Sequence, residues 1–290
     1  MNQDPKFKVE ICANSAESAL KAQEGGAYRI ELCAGIPEGG TTPSAGEIRM
    51  ARALLKETKM HVIIRPRGGD FLYNEYEQEI MINAIKLCRE LGVDGIVIGC
   101  LTAEGTVDKP LCQKLIEAAG DMNVTFHRAF DMSRVPKEAI EDIISLGCTR
   151  VLTSGQEPDA VQGIPLIKEL VEQANGRIIV MPGGCVRSNT VRQIADETGA
   201  TEFHLTCRNS YESGMIYRNP KVSMGEVVKI EEYMKDVTDP VIVKAAVDEL
   251  MDDNHETVIF DYEHKLNKHY KKGGCTNTST FFYASVQKPL

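Results

Sequence analysis

The chain reads as an α/β protein, a (β/α)8 barrel of the TIM type, on three observations. Short apolar runs recur about every 25 to 30 residues, the spacing of strand-plus-helix units. Each run is followed by a stretch of helical period, so the strands are joined by crossovers and pair in parallel. The first such turn, CANSAES (12–18), lacks the G-x-G-x-x-G expected of the competing doubly wound open sheet. A chain of 290 residues suits one large domain of this kind.

The units follow in order. VEIC (9–12) leads into SAESALKAQEGG (15–26), a helix opened by a Ser cap and closed by glycines. IELC (30–33) precedes the helix SAGEIRMARALLKE (44–57), and VIIRPR (62–67) precedes YEQEIMINAIKLCRELG (76–92). In the latter, Ile80, Ala84, Leu87 and Leu91 share a face and are expected to pack inward. GIVIGC (95–100), VTFHRAFD (124–131), RVLTSG (150–155) and IIVMPGG (178–184) are each followed by a helical segment, and EFHLTC (202–207) is the eighth strand. SMGEVVKIEEYMKDV (223–237) is expected as the helix after it. Residues 1–238 thus form the barrel, and 239–290 an appendix. The appendix opens with one more capped helix, DPVIVKAAVDELMDD (239–253), and ends in a tail expected to be mobile or docked on a neighbour. His255, His264 and His269 are irregularly spaced in or just before that tail and read as solvated side chains.

The net charge of −9 argues against nucleic acid or an anionic membrane as partner. There is no run of about 20 apolar residues to span a bilayer, and MNQDPKFKVE (1–10) lacks the apolar core of a signal peptide. These features predict a cytoplasmic protein. The nine cysteines are scattered singly, with no C-x-x-C, which removes zinc-ribbon and thioredoxin-type sites. In a reducing compartment most are expected as free thiols. Soft-metal binding and a lone reactive thiolate are the functional readings, against plain burial as small apolar side chains.

Strand alternation selects what faces the barrel interior. Val9 and Ile11 face the helices, leaving Glu10 and Cys12 inside; Ile30 and Leu32 leave Glu31 and Cys33 inside. By the same rule Thr125 and His127, and His204 and Thr206, point inward. Adjacent first and second strands are expected to hold the two carboxylates, and the two thiols, at matching depths. Glu10, Glu31 and His127 are therefore candidate acid–base groups at a mouth where barrel enzymes keep their chemistry. Arg65 and Arg67, with Asp70 after the Gly68-Gly69 turn, are candidate ligand-binding residues, because guanidinium binds carboxylate or phosphate bidentately. The competing structural interpretation is a Glu–Arg–His salt-bridge network filling the barrel.

Thr153, Ser154, Gly183 and Gly184 lie where barrels often bind phosphate through backbone N–H groups; the glycines alternatively just permit a tight turn. No lysine occupies the C-terminal half of a strand, which weakens a Schiff-base mechanism. Cys12 and Cys33 are the candidate metal ligands, since two thiolates on adjacent strand ends suit Cu(I), whereas Zn2+ asks for four ligands.

IELCAGIPEGGTTPS (30–44), IIRPRGGDFLY (63–73), VTFHRAFDM (124–132) and RVLTSGQ (150–156) resemble the signature blocks of the CutC family of copper homeostasis proteins, in the same order and spacing. The resemblance covers roughly residues 8 to 240. It implies a TIM-type barrel, a cytosolic homo-oligomer (dimer or tetramer) and a role in copper handling with Cu(I) bound by cysteines. It carries over to Glu10, Cys12, Glu31, Cys33, Arg65, Arg67, Asp70, His127, Arg128, Asp131 and Thr153 to Gly155. It supplies no catalytic reaction. An isomerase, epimerase or lyase acting on a small anionic metabolite through Glu10 or Glu31, His127 and Arg65 is therefore the alternative reading.

Overall fold

In a computed structural model of the chain, the described residues are 5–222, 224 and 231–252, all within one compact unit, Met1–Asn254. Eight parallel strands form the barrel: β1 (Lys8–Ala13), β2 (Arg29–Leu32), β3 (Lys59–Ile63), β4 (Gly95–Ile98), β5 (Asn123–Phe126), β6 (Arg150–Thr153), β7 (Ile179–Pro182) and β8 (Glu202–Leu205). They are hydrogen-bonded in the order β7-β6-β5-β4-β3-β2-β1-β8, and a parallel bridge between Gly183 and His204 joins the two ends. The expected TIM-type barrel is the fold observed.

The helices follow from capping and period. In α1 (Ala16–Glu24) the Ser15 side chain accepts from the Ser18 N–H, and in α2 (Ala45–Leu54) Ser44 accepts from Glu47. A capping box of Asn74 and Glu77 opens α3 (Glu75–Glu90). Pro110 and Pro136 stand in the first turns of α4 (Lys109–Ala119) and α5 (Pro136–Ser145), where a missing N–H costs nothing. Next come α6 (Ile164–Ala174) and α7 (Ser188–Thr198). The main core lies between strands and helices: Val9, Ile11, Ile30, Leu32, Ile96, Phe126 and Phe203 pack outward against helix residues such as Ile48, Met81, Leu115 and Ile140. Each such burial contributes about 1.5–3 kcal/mol. Cys12, Cys33, Ile63 and Val97 form a separate cluster within the barrel.

Two expectations are corrected. The buried stripe of α3 is Met81, Ile85 and Cys88, and Ile80 is exposed. The helix has apolar residues on both neighbouring stripes, and packing on the barrel, which helical period does not specify, selects the Met81 stripe. The helix expected over 223–237 is also absent from its described part: Met234–Thr238 is a strand, β10, antiparallel to β9 (Arg208–Glu212). Cross-strand pairing, including Ser210 Oγ on Asp236, overrides local helical preference there. The remainder of that segment, 223 and 225–230, lies outside the described residues.

The eighth helical position belongs instead to α8 (Pro240–Met251), capped by Asp239, which packs on α7 and α1 with Val243, Ala246 and Leu250 buried. Gly25 makes this approach feasible, since a Cβ there would stand 2.5 Å from the Val243 side chain. The tail, with His255, His264 and His269, lies outside the described residues. No helix among the described residues is long and apolar enough to cross a membrane.

Candidate functional site

Barrel interiors are ordinarily filled by branched apolar side chains; this one is charged. Strand register explains how. On β1, Glu10 is level with Arg29 of β2 and His204 of β8, so the two strands are staggered by two residues relative to the expected pairing of Glu10 with Glu31. One Glu10 oxygen accepts the Arg29 Nε–H, and the other lies 2.7 Å from His204 Nδ1. Arg29 also donates to Glu202 at 2.6 Å, and Glu202 accepts from Arg150 at 3.0 Å. The internal salt-bridge network is real, but its arginines are Arg29 and Arg150 rather than Arg65. Burial would raise the Glu10 carboxyl, but Arg29 and His204 outweigh it and hold it well below the usual range. Burial likewise opposes protonation of His204, yet its contacts with Cys12 and Glu10 and the charge of Glu31 hold it well above an ordinary histidine.

Above this network stand the thiols. Cys12 Sγ and Cys33 Sγ are 3.2 Å apart, and a Glu31 carboxylate oxygen joins them with all three ligand atoms within 4.8 Å of one another. All three residues are buried, Cys12 retaining the most exposure at 9%, and Ile36, Ile63 and Val97 pack around the thiols. The pair shares a proton: the hydrogen bond from Cys33 lowers the Cys12 thiol well below its usual value against the opposing effect of burial, and the same bond raises Cys33. Burial pushes Glu31 up to about 8, with the anionic Cys12 and Glu10 adding to it against His204.

His204, which alternation placed inward, is the functional group that sequence reasoning left off the site. Its signal was available: of the two ionisable residues that alternation turns inward on EFHLTC, Glu202 and His204, it is the one nearer the mouth. Arg29, Arg150 and Glu202 start their strands, at the end away from the mouth, where strand alternation carries no sign of function.

The remaining candidates are spread around the rim. Arg65 is buried; it donates to the carbonyls of Glu38 and Gly40 at 2.8 and 2.9 Å and of Gly69 at 2.8 Å. Arg67 pairs with Asp70 at 2.9 Å and with Glu77 at 2.5 Å. His127 caps the short 3-10 turn Arg128–Met132, its Nδ1 accepting the Ala129 N–H at 3.1 Å. Burial, helped by the charge of Arg65, lowers it to about 3, so the ring is neutral. Gly99 gives it room, because a Cβ there would lie 2.3 Å from the ring.

Thr153 and Ser154 come together with Gly183 and Gly184, but the donors of Thr153, Ser154 and Gly183 are occupied from within. The Asp131 carboxylate accepts from Thr153 Oγ1 at 2.5 Å, from Ser154 N at 3.0 Å, from Gln156 N at 3.3 Å and from Arg128 Nε at 2.7 Å. Gly183 N–H donates to the Thr153 carbonyl, and the Gly184 carbonyl accepts from Ala160. Asp131 thus takes the Thr153 hydroxyl and the Ser154 N–H, two of the donors expected for a phosphate.

Comparison with known proteins points one way. The family model described as the CutC family matches residues 7–209. A family protein CutC from Bacteroides thetaiotaomicron is 56% identical over 233 residues, covering 80% of this chain and 94% of the relative. The copper homeostasis protein cutC homolog of Homo sapiens is 48% identical over 233 residues, covering 80% of this chain and 85% of that protein. Among solved structures, the protein named CutC from Streptococcus agalactiae superposes with a TM-score of 0.66 at 36% identity, over 68% of this chain and 97% of that one. The aldolase QR15, at a TM-score of 0.53 and 17% identity over 70% of this chain and 91% of that one, shares the barrel alone.

Proposed function

The chain belongs to the CutC family, and from that premise we propose that it serves copper homeostasis by binding Cu(I) between Cys12 and Cys33. The observation that carries this reading is the pair of thiol sulfurs 3.2 Å apart, enclosed by Ile63 and Val97. Thiolate is the ligand class Cu(I) favours, and two thiolates satisfy it. The chemistry of the neighbours fits. Entry of the ion displaces the proton shared by the thiols, and two thiolates with Cu(I) carry one net negative charge, beside the His204 ring whose anionic neighbours favour its protonated form. Glu31, within 4.8 Å of both sulfurs, is a candidate third ligand. A tetrahedral Zn2+ centre would need a fourth, which no further cysteine, histidine or acidic residue among the described ones adds to this cluster.

A cytosolic location belongs to the same reading, because a reducing compartment keeps both thiols available, and so does assembly into a homo-oligomer, as light scattering would check. The isomerase or lyase alternative finds less support. Glu10 spends both oxygens on Arg29 and His204, and the neutral His127 ring, lowered to about 3 by burial, is a poor proton donor near neutral pH. The test is an anaerobic Cu(I) titration in competition with a chromogenic chelator, wild type against Cys12→Ser/Cys33→Ser. The double variant is expected to lose the tight equivalent; equal stoichiometry and affinity in both proteins would remove the idea.

A further inference from the structure

We propose a second site at the mouth, a subsite for a small monocarboxylate formed by Arg65, Tyr73 and His127, independent of the copper reading. The three side chains retain only 5%, 5% and 4% exposure, and each has a polar atom without a hydrogen-bond partner: Arg65 Nε, the Tyr73 hydroxyl and His127 Nε2. Buried polar groups are nearly always satisfied, and an orphan needs a cause. Three orphans in one cluster share one. Arg65 and His127 both pack against the Phe71 ring, the guanidinium carbon 5.0 Å from its centroid and the two ring centroids 5.1 Å apart, and the Tyr73 hydroxyl lies beside the Arg65 guanidinium.

All three orphans are donors. Because His127 Nδ1 accepts the Ala129 N–H, the ring proton is on Nε2. Arg65 Nε carries a hydrogen by its chemistry, and the phenol can turn its own outward. The missing group is therefore an acceptor of several hydrogen bonds. It is also an anion, since Arg65 meets only backbone carbonyls through its other nitrogens and makes no ion pair among the described residues. A buried guanidinium without a counter-charge is costly.

The charge count selects the class. Arg67, the next cation along the loop, is committed to Asp70 and Glu77, and His127 is neutral. One positive charge remains, enough for a carboxylate and too little for a phosphate dianion. The Phe71 ring offers an apolar wall for a short carbon tail. The subsite adjoins the thiols: the Gly39-Gly40 turn touches Arg65 through Gly39 and, through Gly40, the Cys33 side chain.

The full-length protein is titrated with sodium acetate, with sodium phosphate and sodium chloride at matched ionic strength, following thermal midpoint and the His127 Nε2–H signal in histidine-labelled NMR spectra. Acetate is expected to raise the midpoint saturably above the chloride control and to shift the Nε2–H proton, and phosphate to match chloride. Tyr73→Phe and His127→Phe, which keep the aromatic packing, are expected to weaken acetate roughly tenfold or more, the loss of a hydrogen bond to a charged group. Tyr73→Phe is expected to keep wild-type Cu(I) stoichiometry, so this proposal and the copper reading fail separately. Acetate acting no better than chloride, phosphate acting as well as acetate, or both variants binding acetate like wild type would overturn it.

Discussion

Replacing Arg29 with Met removes the hub of the interior network while keeping much of its volume. Arg29 is 2% exposed and holds two carboxylates, Glu10 and Glu202. After the change Glu202 keeps Arg150 at 3.0 Å and Glu10 keeps His204 at 2.7 Å, but two buried anions have lost a shared cation. Breaking a buried pair on one side costs about 3–5 kcal/mol, a large part of a typical stability of about 5–15 kcal/mol. For a domain of this size that is a drop of roughly 6–20 °C in Tm, at about 2–4 °C per kcal/mol. Urea unfolding followed by circular dichroism measures it.

The pH dependence distinguishes lost charge pairing from lost packing. In the wild type the Glu10 carboxyl is depressed, so its contribution is present above the unfolded value of 4.5 and fades as pH falls below it. In Arg29→Met the Glu10 carboxyl rises, so its penalty is full at high pH and is relieved as pH falls through the new value. The gap between variant and wild type should therefore narrow from pH 8 to pH 5. A gap below about 1 kcal/mol at pH 7, the scale of an exposed ion pair, or one that does not change with pH, would refute the network as the source of the stability.

Three further outcomes follow. Glu31, with its carboxyl raised to about 8, contributes stability that is full below 4.5 and lost as pH rises through about 8; Glu31→Gln should flatten the fall in urea midpoint between pH 5 and pH 9. Asp131→Ala leaves the Thr153, Ser154 and Gln156 donors unpaired and should cost about 2–4 kcal/mol; it should also make inorganic phosphate stabilising, where the wild type shows no specific response. Gly99→Ala drives a methyl against the His127 ring, 2.3 Å away, and should cost about 1–3 kcal/mol by overpacking, read from thermal unfolding.

The barrel was legible because strand runs and intervening helices have different periods, and alternation was enough to tell inside from outside. It could say which face Glu10, Cys12, Glu31 and Cys33 occupy, and the thiols do meet. Depth was not available, because stagger between strands is a property of barrel closure and not of either segment. That is why Glu10 was expected opposite Glu31 and is found opposite Arg29. The occupied cradle at Thr153 and Ser154 was hidden for a similar reason: its Asp131 comes from the turn after another strand, 22 residues earlier than Thr153. The segment around Met234–Thr238 misled because its helical pattern is local and its partner, Arg208–Glu212, is distant in sequence.

The most direct test of the copper assignment is a crystal grown or soaked anaerobically with Cu(I), with anomalous differences collected on both sides of the copper edge. A single strong copper peak is expected between the Cys12 and Cys33 sulfurs, absent from Cys12→Ser/Cys33→Ser crystals treated alike. Copper located at any other residues, or an unoccupied thiol pair at saturating Cu(I), would contradict it.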